Sequence, residues 1–167
     1  MKDFSALADP KEKNMKTIYI SGPITDLTTG QPRKGWQRDF LDAEAKLRRM
    51  GFSVINPVDI AREVEDEYLC NWEYLQLTKE PKTPSRADYI MACLNRMKVC
   101  DRYGRLDGVY VIGEHIAALM SHGVQMEILM ADVLCLPIYA ECRDGLCVDR
   151  GLIPIEGHGK IEELLKD

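Results

Sequence analysis

The sequence predicts an α/β fold: a doubly wound, flavodoxin- or Rossmann-like parallel sheet of four to five strands with helices on both faces. Two observations carry most of that expectation. Short runs rich in β-branched and aromatic residues, TIYISG (17–22), FSVINP (52–57), DGVYVIG (107–113) and LPIYA (136–140), read as buried strands, most of them bounded by glycine or proline. Between them lie segments whose apolar residues recur at three- and four-residue steps, the period of a helix. A third observation joins the two: the β-α-β-α-β-α-β alternation demands crossover connections, and these build a parallel sheet covered on both sides.

Taken in order, residues 1–14 are a polar arm expected to be disordered, and residues 15–167 are expected to form a single domain. The first strand stops at Gly22-Pro23, and DLTTGQPRKG (25–34) reads as a polar loop. Trp36, Phe40, Ala43, Leu47 and Met50 fall on one helical stripe, and Gly51 ends that helix as a C-cap glycine would. The second strand runs into Pro57. Residues 58–83 form a variable excursion, acidic and then aromatic (Tyr68, Trp72, Tyr74), expected to hold a short helix and a mobile loop. Thr83-Pro84 supplies a cap and an N1 proline for a helix reaching about Cys100, with Met91, Leu94, Met97 and Cys100 as its buried face. Ser121 caps the helix before the fourth strand. Residues 141–167 are a C-terminal extension expected to hold a small hairpin and a short helix near 158–166.

Composition narrows the function. The 167 residues carry 46% apolar and 29% charged side chains, ordinary for a globular domain. A net charge of −5 argues against a nucleic-acid polymer or an anionic membrane as partner, because both reward clustered Lys and Arg. No run approaches the ~18 apolar residues of a membrane span, and the first residues lack a signal peptide's apolar core. The expected location is therefore the cytoplasm, with the six cysteines as thiols. No cysteine pair has zinc-knuckle spacing, so no zinc is expected, and no organic cofactor is expected either.

In a doubly wound sheet, ligands sit at the carboxyl ends of the strands where the strand order reverses. That rule brings the Gly22-Pro23-Ile24 turn and the 113–121 loop to one crevice, with His115 of that loop a candidate ligand contact. Beside it begins SHGVQMEILMADVLCLPIY, apolar on almost every side yet carrying Glu127. Each helical residue advances about 100°, so Gln125 and Asp132 share one polar stripe while Glu127 points away from it, with Val124, Ala131 and Leu134. A carboxylate there is costly unless it is paired, protonated or lining a pocket. The same helix start, with Ser121 at its cap and Gly123 two residues on, exposes backbone N–H groups suited to a phosphate. Arg33, Lys34 and Arg38, in or after the first loop, are a further cluster able to draw in an anion.

These motifs in this order resemble the nucleoside 2-deoxyribosyltransferase superfamily: IYISGPIT, LRRMG, VINP, the CD of Cys100-Asp101, DGVYVI and S-x-G-V-x-x-E, over about residues 16–140. The serine form of the last motif is similar to that of the deoxynucleoside 5′-monophosphate N-glycosidases and of a bacterial and phage branch of the superfamily. The resemblance implies that Glu127 is the nucleophile attacking the anomeric carbon, that Tyr19 holds its carboxylate, and that Ser121 with Gly22, Pro23 and Ile24 seats the 5′-phosphate. It further implies a small nucleotide or nucleoside substrate and a homodimer or larger homo-oligomer. One position departs from the pattern: Cys93 stands where the family carries the aspartate that helps protonate the leaving base. Asp88, Asp101 and Asp107 are alternatives for that proton, and loss of chemistry with retention of nucleotide binding is the competing expectation.

Overall fold

The computed structural model describes residues 15–75, 83–102, 106–113, 120–140 and 153–154 of the 167-residue chain. β1 (Thr17–Ser21) pairs in parallel with β2 (Ser53–Ile55) on one side and with β3 (Gly108–Val111) on the other. β4 (Ile138–Ala140) follows β3, and the two-residue β5 (Ile153–Pro154) pairs in parallel at the edge. The order β2-β1-β3-β4-β5 is that of a doubly wound flavodoxin-like sheet, whose reversal lies between β1 and β3. The expected fold class is therefore the observed one.

Residues of β1 alternate between the two faces, as the period of a strand requires. Ile18 and Ile20, with Tyr110, Ile112 and Tyr139, pack against Phe40, Ala43 and Leu47 of α1 (Trp36–Arg49). Those three α1 positions are spaced three and four apart and are buried, so burial of one stripe holds the helix to the sheet. Fully burying side chains such as Phe40 or Leu47 contributes roughly 1.5–3 kcal/mol each. Gly51, with φ 95°, follows α1 in the left-handed conformation a helix stop requires. Tyr19, Val109 and Val111 face the other way, onto Cys93, Leu94 and Met97 of α3 (Arg86–Arg102) and Val124 and Ala131 of α4 (His122–Val133).

Three expectations change. Within the excursion assigned to 58–83, most of the described part is a 19-residue helix, α2 (Pro57–Leu75). The proline that stops the second strand also opens this helix, and Asn56 Oδ1 accepts the Val58 N–H at 3.0 Å as its cap. α3 begins at Arg86, capped by Ser85: the Ser85 N–H donates to Asp88 Oδ2 at 2.7 Å while Ser85 Oγ accepts the Asp88 N–H at 3.4 Å. Its buried residues are Cys93, Leu94 and Met97, whereas Met91 is exposed. Finally, residues 153–154 extend the sheet in parallel, where a hairpin would have run antiparallel. The expected arm at 1–14 and helix near 158–166 lie outside the described residues.

Candidate functional site

The carboxyl end of β1 opens into a cleft of about 520 Å3, a size that suits a small organic ligand. Four parts of the chain line it: the stretch from Gly22 into the first turn of α1 at Gln37, one face of α2, the first half of α3, and the start of α4. On α2 that face is Pro57, Ala61 and Glu65, four apart along the helix.

Glu127 lies on the inward stripe of α4 with Val124 and Ala131 and is 8% exposed, while Gln125 and Asp132 face solvent. Both of its oxygens are held from β1. The Tyr19 hydroxyl donates to Oε1 at 2.6 Å and the Ser21 hydroxyl to Oε2 at 2.5 Å. Tyr19 and Ser21 are two residues apart, so strand pleating turns both onto the α4 face. Burial pushes the Glu127 carboxyl up to about 7, even though the bonds from Ser21 and Tyr19 favour its ionised form. Among the described residues no lysine or arginine forms an ion pair with it. The carboxylate is thus steered by neutral donors and left without a counter-charge.

Tyr19 is fully buried, and its hydroxyl is held well above the usual phenol range by burial and then by the Glu127 charge. It keeps its proton and serves as a donor. Cys93 lines the cleft beside this pair. Burial, and then Glu127, push its thiol up to about 12, so it is neither a thiolate nucleophile nor a proton donor near neutral pH. Ser121 is 4% exposed and lines the cleft, yet its side chain makes no capping hydrogen bond to α4. A serine at this position ordinarily spends its hydroxyl on the helix. Here the hydroxyl stands with the cleft, next to the N–H groups that a helix start leaves unpaired. Gly123 lines the same end.

Gly22 and Ile24 also line the cleft, and Gly22 is sterically required: a Cβ there would meet Ile112 Cγ1 at 2.5 Å. Pro23 does not join them. It turns to a separate cavity on the α1 side, where Arg33 donates to its carbonyl and pairs with Asp39 at 2.6 Å. Arg33 is thereby committed to the loop carbonyl and to α1, and Arg38 faces solvent beside Asp42. Asp107, one of the alternatives for the proton to the leaving base, does not line the cleft. It precedes β3, at the amino end of the sheet, where its carboxylate accepts the Thr17 N–H at 2.7 Å and its own N–H donates to the Thr17 carbonyl at 2.8 Å. The other two carboxyl alternatives fare no better: Asp88 belongs to the Ser85 cap, and Asp101 stands at the far end of α3. His115 lies outside the described residues.

Sequence reasoning missed Ser21, Glu65, Arg86 and Tyr89. The first carried a signal, because a residue two beyond Tyr19 on the same strand shares its face. The other three line the cleft from α2 and α3, with the Tyr89 hydroxyl donating to Glu65 Oε1 at 3.1 Å. Among the described residues no three His, Cys, Asp or Glu side chains are grouped to hold a metal ion, and no helix is long and apolar enough to cross a membrane. Compared with known proteins, the chain matches no protein-family model, no curated protein and no solved structure.

Proposed function

We propose that this protein is an N-glycosidase that cleaves the base–sugar bond of a (deoxy)nucleoside 5′-monophosphate. The observation that carries the reading is Glu127: an unpaired, buried carboxylate on a cleft wall, oriented through both oxygens by Tyr19 and Ser21. Each carboxylate oxygen accepts one hydroxyl and retains a second lone pair for the substrate. In the first step a Glu127 oxygen bonds to the anomeric carbon while the carbon–nitrogen bond breaks and its electron pair leaves with the base. Water then displaces Glu127 from the sugar and restores the carboxylate, the two-step course of a retaining glycosidase. A carboxyl group titrating at about 7 is ionised in sufficient fraction at neutral pH to act so.

The Ser121 hydroxyl, which makes no capping bond to α4, and the adjoining start of that helix support a 5′-phosphate as the anchor, since a helix amino terminus favours an anion. Binding energy collected at a phosphate remote from the reacting bond is what holds the anomeric carbon over the nucleophile. The four described cysteines are free thiols, which supports a cytoplasmic setting. Met126, Leu129 and Val133 form an outward stripe on α4, with Leu129 63% and Val133 71% exposed. Such a stripe supports a homo-oligomer joined through α4, a state that sedimentation of the wild type against Leu129→Ser measures.

Free base measured by chromatography after incubation with a panel of deoxyribo- and ribonucleoside 5′-monophosphates tests the activity. Release from at least one of them, lost in Glu127→Gln, is expected. No release from any, or equal release by the variant, removes the reading. One observation favours a second reading, a nucleotide sensor without turnover: the thiol of Cys93 stands where the resemblance leads one to expect an acid, and it holds its proton too tightly to serve as one. Thermal stabilisation by a nucleotide that survives incubation intact supports that alternative.

A further inference from the structure

A buried phenol hydroxyl has one proton to give and an oxygen that calls for a donor of its own. Tyr19 gives its proton to Glu127 Oε1 at 2.6 Å and is fully buried, so bulk water does not reach that oxygen. The group beside it is the thiol of Cys93. α3 turns Cys93 onto the sheet with Leu94 and Met97, in one core cluster with Tyr19, Val109 and Val111. The thiol and the Tyr19 hydroxyl are hydrogen-bond partners, and the thiol also feels the Glu127 charge. Cys93 is buried and lines the cleft with Glu127.

The direction of sharing follows from the protons. The Tyr19 proton is committed to the carboxylate, the stronger acceptor of the two within reach. What remains for the thiol is to donate. Its S–H persists throughout the neutral range, because burial and then Glu127 push the thiol up to about 12. Arg96, also on α3, acts on the thiol in the opposite sense and is itself engaged with Glu63 of α2. A group too weakly acidic to release its proton can still share it. The result is a chain across three elements, from Cys93 on α3 to Tyr19 on β1 to Glu127 on α4. In such a chain each bond polarises the next.

We infer that Cys93 is a positioning residue for Glu127: its S–H, donated to the Tyr19 oxygen, strengthens the bond by which Tyr19 holds the carboxylate. The catalytic side of this inference rests on the N-glycosidase reading above. It gives Cys93 a task other than protonating the departing base. The thiol favours the ionised nucleophile from one residue away, and no proton changes hands.

The first test reads the thiol directly, through its S–H stretching band in the infrared, with Cys93 identified as the component missing in Cys93→Ser. A donating thiol absorbs at lower frequency than a free one, so the Cys93 band is expected to move up in Tyr19→Phe. In the wild type it should move down as pH rises through about 7 and Glu127 ionises, and in Glu127→Gln it should stay in place. A Cys93 band unmoved by Tyr19→Phe overturns the inference.

Activity supplies the second readout. Cys93→Val, of similar size and without a donor, should raise the pH of half-maximal turnover by about 0.3 unit, with KM changed less than about 2-fold. Cys93→Ser keeps a donor and should stay at the wild-type midpoint. In a Tyr19→Phe background the valine substitution should add no further shift. No shift in Cys93→Val, the same shift in both backgrounds, or an equal shift in Cys93→Ser reduces Cys93 to packing and overturns the assignment. Wild-type protein that releases base from no nucleotide brings down the glycosidase reading, and the S–H band then decides the hydrogen-bond chain by itself.

Discussion

Two carboxylates sit at opposite ends of the same pair of strands, and they are held in different ways. Asp107, at the amino end, accepts a backbone N–H from Thr17 and returns one to the Thr17 carbonyl. That arrangement splices the start of β3 to the start of β1, away from the residues that line the cleft. Glu127, at the carboxyl end, is held through the side-chain hydroxyls of Tyr19 and Ser21, beside a cleft and, among the described residues, without a cation. A backbone clasp makes a carboxylate part of the sheet's ladder. A clasp of hydroxyls inside a pocket orients it and keeps lone pairs available.

The sharpest way to break this contrast is to remove each charge in turn. Glu127→Gln is expected to lower nucleotide turnover by about 10³-fold or more, a scale seen when a covalent nucleophile is lost. Asp107→Asn should leave turnover within about 3-fold, with free base as the readout for both variants. If Asp107→Asn proves the more damaging to kcat, the contrast is wrong.

A second separation is in pH and stability. The folded protein holds the Glu127 proton up to about 7 against an ordinary value of 4.5, so folding takes up a proton between those limits. Below 4.5 the group is neutral in both states and costs nothing. Between 4.5 and 7 the unfolded chain ionises while the folded one keeps its proton, so stability falls by about 3 kcal/mol from this group alone and levels off above 7, where the buried charge has formed. Urea unfolding across pH 4.5–8 should show that decline in the wild type and in Asp107→Asn, and a flatter profile in Glu127→Gln. An unchanged slope in Glu127→Gln would locate the titrating group elsewhere.

Smaller effects probe the clasps themselves. Both hydroxyl bonds favour the ionised carboxylate, so Tyr19→Phe or Ser21→Ala should raise the pH of half-maximal turnover by about one unit, each bond to a charge contributing roughly 1.5–3 kcal/mol. Asp107→Asn keeps an acceptor for the Thr17 N–H and gives up the charge, and it should cost about 1 kcal/mol in denaturant titration with no shift of the pH–activity curve.

Much of this contrast was legible in the amino acids. Strand composition and helical spacing gave the alternation of elements, and a helical wheel alone turned Glu127 away from Gln125 and Asp132. The Tyr19 contact came from a resemblance, and Ser21 was overlooked although it obeys the same two-residue period. The error at Asp107 had a physical remedy in the sequence: in a parallel sheet the first residue of every strand lies at the end away from the crevice. The α2 and α3 contributions were harder to read. The α2 segment mixes acidic and aromatic residues without a clean stripe, and Pro57 signals both a strand's end and a helix's first turn. Thr83-Pro84 outshone the true cap at Ser85, whose reciprocal bond with Asp88 shows only in coordinates. Contacts between helices far apart in sequence, such as Glu65 with Tyr89, leave no periodic trace.

The double tether from β1 to Glu127 also sets which parts of the protein can yield. A turn or slide of α4 would strand the Glu127 carboxyl in the core without its donors, so its two oxygens ride with the sheet as one stiff unit. Give in the cleft must then come from its other sides, the loop after β1 and the α2–α3 pair. A ligand entering between them meets a fixed floor and adjustable walls.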